Sequence, residues 1–255
     1  MQAWKTKTDQ PPKILGPVIV TRAGKDFKMA NYYNGQVLSK FRAALDAAKE
    51  DVRSGKVNTV SISKGNIKMG AVPSVSTLPF ITCPGRCKGT CGAECYAAKI
   101  ANLRTSVLVS YARNTALAML KPELYWAGID YAIKGTRFFR FHVSGDIMNA
   151  DYFRKMVDAA RNNPHCQILT FTKRYEIVNA WIAENGGLPE NLHILFSGWE
   201  NLQPENPYKL PETNVYDTEP REEWLLCGGN CFECGCRGVG CWQARTGETI
   251  AFRKH

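Results

Sequence analysis

The sequence predicts an α/β fold on a parallel sheet, open or closed into a barrel, and three observations lead to it. Segments of strand and helix character alternate through the second half of the chain, at residues 137–144, 150–162, 167–172, 175–184 and 192–197. Alternation at that spacing forms right-handed βαβ units, which lay the strands parallel. At 255 residues the chain can bury the core of one large α/β domain or two small ones without crosslinks. In each predicted strand, finally, the apolar residues share one parity: Val60 and Ile62; Phe139, Phe141 and Val143; Leu169 and Phe171; Ile194 and Phe196. The other parity carries Ser61, Ser63, Arg140, His142, Ser144, Thr170, Thr172, His193 and Ser197. Parallel strands covered on both faces read as near-continuous apolar runs. A recurring polar parity therefore favours a face lining a polar cavity, as inside a partly open barrel, over a sheet with one wet face.

Taken in order, residues 36–53 place Leu38, Phe41, Leu45 and Val52 near helical spacing, and Gly55 follows as a stop. Residues 58–64 alternate as a strand does. A turn-rich stretch leads to the first cysteines. Residues 96–133, rich in Ala and Leu, read as one or two helices interrupted at Lys121-Pro122, where proline removes a helix donor. Residues 137–144 form a strand, and Ala150–Asn162 a helix with Tyr152, Phe153, Met156, Val157 and Ala160 on its apolar side. Gln167–Thr172 is a strand, residues 175–184 a helix stopped by Gly186-Gly187, and Leu192–Ser197 a strand. Residues 200–226, with Pro204, Pro207, Pro211 and Pro220 among many acids, read as an irregular connection. Residues 1–200 thus make the α/β unit, and residues 201–255 a cysteine-rich extension packed on it.

Nine of the ten cysteines fall into two tight groups. The first is Cys83-x3-Cys87-x3-Cys91-x3-Cys95; the second is Cys227-x3-Cys231-x2-Cys234-x1-Cys236-x4-Cys241. Thiolates so close repel one another and oxidise unless a positive centre holds them, which makes both groups candidate ligands for a metal ion or an iron–sulfur cluster. Structural zinc favours two knuckles separated by a longer loop, whereas a cubane's corners suit a compact run. The spacing thus favours [4Fe–4S] over zinc for the first group, while the later group could hold a second cluster or a zinc, or donate a ligand to the first. Cys166, alone at a strand entrance, reads as a buried inert thiol.

The N-terminal stretch shows no apolar signal segment, and no apolar run approaches a membrane span. A reducing cytoplasm is the resulting expectation, where clustered cysteines serve as ligands rather than disulfides. Charge is uneven. Residues 1–120 hold 18 Lys and Arg against 6 Asp and Glu, while residues 181–255 hold 6 against 11. A basic front half makes nucleic acid a candidate partner, although basic residues interleaved with aromatics are missing and a solvated basic surface explains the count equally.

Sites in α/β proteins gather at the C-terminal edge of the sheet. That edge should carry Ser144-Gly145-Asp146, Lys173 and Ser197-Gly198-Trp199, with the first cysteine loop reaching the same place. Arg140, His142, Asp146 and Lys173 are the candidate catalytic groups facing the cavity. His142 reads either as a further ligand or proton carrier there or as a hydrogen-bonded core histidine. Asp146 reads equally as a cap for the next helix.

CPGRCKGTCGAECYAAK, then RFHVSGDI, then ILTFTKR, then Cys241-Trp242 resembles, over roughly residues 80–245, the phage-encoded gene-product-eighty-eight-like family. That family looks distantly related to radical S-adenosylmethionine (SAM) enzymes. The resemblance implies a radical-SAM-like partial (β/α) barrel with a cysteine-rich C-terminal extension, an iron–sulfur cluster and a phage origin, hence a host cytoplasm. It implies Cys83, Cys91 and Cys95 as the matching cysteines. By analogy Ser144, Gly145 and Asp146 would hold the amino group of SAM. Radical-SAM enzymes carry C-x3-C-x2-C, and Cys87-x3-Cys91-x3-Cys95 departs from it by one residue. The expectation is an iron–sulfur redox or radical enzyme of unspecified substrate. The competing expectation is a non-catalytic zinc or iron–sulfur protein that binds nucleic acid.

Overall fold

The computed structural model describes residues 34–253 and, before them, the backbone of an antiparallel pair, Ile19–Val20 (β1) with Phe27–Lys28 (β2). Helix α1 (Gly35–Arg53) starts at Asn34, whose side chain accepts a hydrogen bond from Val37 N at 2.9 Å. It buries Val37, Phe41, Leu45, Ala48 and Val52, the one-sided stripe expected of an amphipathic helix. The predicted strand at 58–64 is reduced to a single bridge, Ser63 to Ser74. Its alternation has another origin: Asn114 of a neighbouring helix pairs with Ser61, accepting from its N–H at 2.8 Å and donating to its carbonyl at 2.9 Å. The strand before the cysteine loop is instead β3 (Ser74–Val75), inside the stretch read as turns.

Between the cysteine loop and the sheet run three helices rather than two: α2 (Tyr96–Leu103), α3 (Thr105–Leu120) and α4 (Pro122–Lys134). The break at Lys121-Pro122 is where proline dictated it, with Pro122 in the first turn of α4. A second break comes at Arg104, whose backbone is extended.

Strand β4 (Phe138–Phe141), α5 (Ala150–Asn162), β5 (Gln167–Thr172), α6 (Tyr175–Asn185) and β6 (Leu192–Ser197) follow as the alternation predicts. Gly186 ends α6 at φ 76°, a left-handed conformation that suits glycine. The chain then adds β7 (Glu212–Tyr216), β8 (Leu225–Leu226), α7 (Cys231–Arg237) and β9 (Thr249–Arg253). The order β3-β4-β5-β6-β7-β9-β8 makes one seven-stranded sheet, parallel throughout. Its outer strands, β3 and β8, do not pair with each other, so the sheet is open. The expected cysteine-rich extension is therefore corrected: residues 201–253 supply three of the sheet's strands. Short strands in a proline-rich, acidic stretch hide from a search for alternation.

Strand register corrects the shared polar parity as well. Phe139 pairs with Ile168, and Ile168 with Leu192, so these three face one way, towards the helices and the larger core. Arg140 pairs with Leu169 and Leu169 with His193, so these face the other way. The apolar parities of β4 and β5 thus lie on opposite faces. No single polar face results: the second face is filled by Met69, Phe138, Leu169, Leu195, Trp242 and Ile250, with four of the later cysteines packed against them.

Candidate functional site: two thiol groups on one sheet

The first group is built by a tight loop. After Pro84 a 3₁₀ turn, Gly85–Gly89, carries Cys87, whose N–H donates to the Pro84 carbonyl at 3.0 Å. Gly92 N donates back to the Cys87 carbonyl at 2.8 Å, folding Cys91 over Cys87. Cys95 caps α2, its Sγ accepting from Ala98 N at 3.4 Å, so that thiol sits at the positive end of a helix. The loop is fastened from outside. Arg86 donates to Glu176 at 2.8 Å and lies 4.9 Å over the Tyr175 ring, and Asn201 Nδ2 donates to the Gly89 carbonyl at 3.1 Å.

The thiols of this group are mutual neighbours. Hydrogen bonding with Cys83 pushes the Cys87 thiol well above the usual range, and hydrogen bonding with Cys87 does the same for Cys91. Burial raises Cys95 to about 11. Against all three acts the positive charge of Lys173, which lowers each. Lys173 is buried, its Nζ donating to Ser197 Oγ at 2.6 Å and lying 6.0 Å from the centre of the Trp199 ring. Two of the three strand-end motifs therefore meet the cysteine loop through one cation.

The second group gathers on the opposite face. Cys227 N donates to the Ala251 carbonyl of β9 at 2.9 Å, and Cys231 N and Phe232 N donate to the carbonyls of Lys68 and Met69 at 3.2 and 3.0 Å. Helix α7 lies so close to β4 that a Cβ on Gly235 would come within 2.7 Å of the Phe138 ring. The Trp242 indole donates to the Cys231 carbonyl at 2.8 Å, and its ring packs 5.0 Å from Phe138. Burial raises Cys227, Cys234 and Cys241, and neighbouring thiols add to each shift. Arg140 opposes it: its Nη1 reaches Cys231 Sγ at 3.6 Å, and its charge lowers Cys227 and Cys241. The guanidinium lies 4.5 Å over Phe171, and its buried Nε has no hydrogen-bond partner. Cys236 is exposed on α7, apart from this set. Cys166 is buried, its thiol raised to about 12 by burial.

The remaining candidates point elsewhere. His142 has φ 54°, which swings its ring towards Tyr152 (3.2 Å) and Thr170 (3.3 Å); burial lowers it to about 3, so it is a neutral core histidine. Ser144 Oγ donates to the Thr77 carbonyl at 2.9 Å. Gly145, at φ 82°, presses so near Thr77 and Thr82 that a Cβ would stand 2.0 Å from the Thr77 hydroxyl. Asp146 is buried, and burial raises its carboxyl; its oxygens accept from Thr172 Oγ1 (2.6 Å), Ile147 N (2.8 Å) and Lys173 N (2.9 Å). It ties β4 to β5, while the cap of α5 is Asn149. The expected polar cavity is thus replaced by two thiol groups, one with Lys173 and one with Arg140.

Sequence reasoning missed Thr77 and read Tyr96 only as a ring packed over the first cysteine group. Tyr96 follows Cys95 directly; about half exposed, it donates its hydroxyl hydrogen to the Val143 carbonyl at 2.5 Å. Its place beside Cys95 was the available signal. Thr77 had none, because only the tertiary approach of Gly145 gives its hydroxyl a role.

The donor chemistry of each group, four soft thiols and one cation, fits a thiophilic metal or an iron–sulfur cluster. Among the described residues, however, no group of three or more His, Cys, Asp or Glu side chains is placed so as to hold a metal ion. Also among them, no helix is long and apolar enough to cross a membrane. A family model described as Gene product 88 matches residues 37–248. No curated protein and no solved structure matches the chain.

Proposed function

The chain belongs to the gene product 88 family, and we propose that it is an iron–sulfur protein, a redox or radical enzyme whose reactive centre is held by Cys83, Cys87, Cys91 and Cys95. One observation carries the reading: four cysteines gather on one tight loop, neighbouring thiols hydrogen-bonded to one another, within reach of the buried cation of Lys173. Thiols in that state ionise when a positive centre enters among them. A [4Fe–4S] cluster bound here would supply one-electron chemistry. Lys173, fixed by Ser197, would offset part of the cluster's negative charge. Arg86, Glu176 and Asn201 would hold the loop while it closes.

A radical-SAM-like partial barrel is the finer reading of the fold. The order of motifs and the open parallel sheet support it, and the extra residue between Cys91 and Cys95 leaves SAM cleavage to direct test. Anaerobic purification with visible spectroscopy and iron, sulfide and zinc analysis tests the proposal. Brown protein with iron and sulfide, both reduced in Cys91→Ser, is the expected result. Colourless protein with stoichiometric zinc overturns it in favour of structural metal sites, the reading that the apolar bed of the second group favours. SAM added to the reduced protein then decides the reaction class, cleavage supporting radical chemistry.

A further inference from the structure

We infer that the chain associates head to tail with a second copy of itself, the basic flank of helix α2 in one copy taking the acidic edge strand β8 of the next. The inference concerns surfaces outside the thiol groups and holds whatever those groups bind. Two patches carry it, and each complements the other.

The first patch lies on α2. Its inner side buries Ala97, Ala98 and Ala101, whereas Tyr96, Ile100 and Leu103 stand 51%, 40% and 42% exposed. Positions i, i+4 and i+7 fall on one side of a helix, so the three form a single apolar stripe turned to solvent. A contiguous apolar patch left outside marks a contact surface. Positive charge frames it. Arg104 follows the stripe directly and is exposed, and Lys40 of α1 reaches its far end, donating to the Asn102 carbonyl at 2.6 Å. Lys99 adds a third cation on the same helix, its Nζ buried and without a hydrogen-bond partner among the described residues.

The second patch is β8, the outermost strand of the sheet, paired on one side only, with β9. Leu225 and Leu226 are 48% and 57% exposed on that edge. Natural sheets blunt an edge with charge, and here the charge is acidic. Glu219, Glu222 and Glu223 are exposed just before the leucines, while Arg221 is turned against the Trp224 ring at 5.0 Å.

Residues 34–120 hold 12 Lys and Arg against 4 Asp and Glu, and residues 200–226 hold 2 against 7. Among the described residues no ion pair takes up Lys40, Arg104, Glu219, Glu222 or Glu223. Like-charged faces repel, so copies meet basic flank to acidic edge rather than edge to edge. Opposite charges set the orientation, and Leu225 and Leu226 bury themselves against the stripe. Such a contact is heterologous: each copy keeps a further patch of each kind, and growth passes two copies. Tyr96 directly follows Cys95, so the contact also covers the α2 flank of the first cysteine loop.

The test is sedimentation of the full chain, kept anaerobic with reductant so that the exposed Cys236 does not link copies. Patches this small give weak, salt-sensitive association, so the range is about 5–200 μM protein in about 0.05–0.5 M NaCl. The average mass should rise with concentration beyond that of two copies, and salt should weaken association at least about tenfold. Arg104→Glu spoils the basic flank alone, and the double variant Glu222→Lys/Glu223→Lys spoils the acidic edge alone. Each by itself should stay monomeric where the parent associates. Mixed in equal amounts they should form pairs that stop at two, because one intact flank and one intact edge remain. Ile100→Ser and Leu226→Ser, milder changes at exposed positions, cover the case in which charge reversal disturbs folding; each should weaken association. A parent monomeric throughout the range overturns the inference and leaves the stripe to residues 1–33 or to an acidic protein. Association unchanged in Arg104→Glu or in Ile100→Ser overturns it as well, as does a mixture of two folded charge variants that stays monomeric.

Discussion

Gly145 shows how little freedom the strand-end segment has. At φ 82° and within 2.0 Å of the Thr77 hydroxyl for any added Cβ, it tolerates no side chain. Gly145→Ala is expected to cost about 2–3 kcal/mol, the sum of strain and a displaced threonine pair, read as a lower denaturant midpoint with unchanged slope. His142 gives the chain a pH signature. Unfolded, its imidazole takes a proton near 6.5; folded, only near about 3. Between those values the unfolded state binds more protons, so the stabilisation is complete above pH 6.5 and is lost as the pH falls towards 3. The loss amounts to about 4–5 kcal/mol in the limit. Urea unfolding of His142→Gln at pH 7 and pH 4.5 should show a shallower decline than the parent; equal declines would reject the assignment. At this scale the sequence singles out residues but not their partners. Spacing placed Lys173 beside the cysteines, whereas nothing local announces that Asp146 spends its carboxylate on Thr172, Ile147 and Lys173.

Among the elements, α7 and the turn carrying Trp242 hold the second group to the sheet. Trp242 is 2% exposed and bonds the Cys231 carbonyl. Trp242→Ala should therefore cost about 3–5 kcal/mol, as large cavities in cores do, and should reduce metal retained by the C-terminal cysteines. Cys236 is exposed on the outer side of α7. Cys236→Ser is expected to leave metal content unchanged where Cys231→Ser lowers it; equal losses would enlarge the ligand set to five. Elements with strong periodicity were legible: α1, α5, β5 and β6 fall where alternation and helical spacing put them. The two-residue strands β3 and β8 carry no period to read, and β7 and β9 are held as strands by pairing with neighbours distant in sequence, with each other and with β6 and β8. Parity misled across β4 and β5 because a pattern within one strand says nothing about which face it takes in the next; register decides that.

For the whole molecule, the consequence is one continuous sheet in place of a unit with an appendage. A chain ending at Ser197 keeps the larger core but bares Phe138, Leu169 and Leu195 on the far face. Such a truncation is expected to aggregate or bind a hydrophobic dye, measured by light scattering and fluorescence. A monomeric, cooperatively folding fragment would show instead that the two parts are independent. Strand order carries a further implication. Strand β9 lies between β7 and β8, yet it follows both of them and all five later cysteines along the chain. During synthesis those cysteines leave the ribosome first, with neither the neighbour that holds Cys227 nor a completed bed beneath them. The second group is therefore a late-formed object: a polypeptide released before Thr249–Arg253 has every thiol it needs and no place to gather them. Its loading would report that translation had run past that strand.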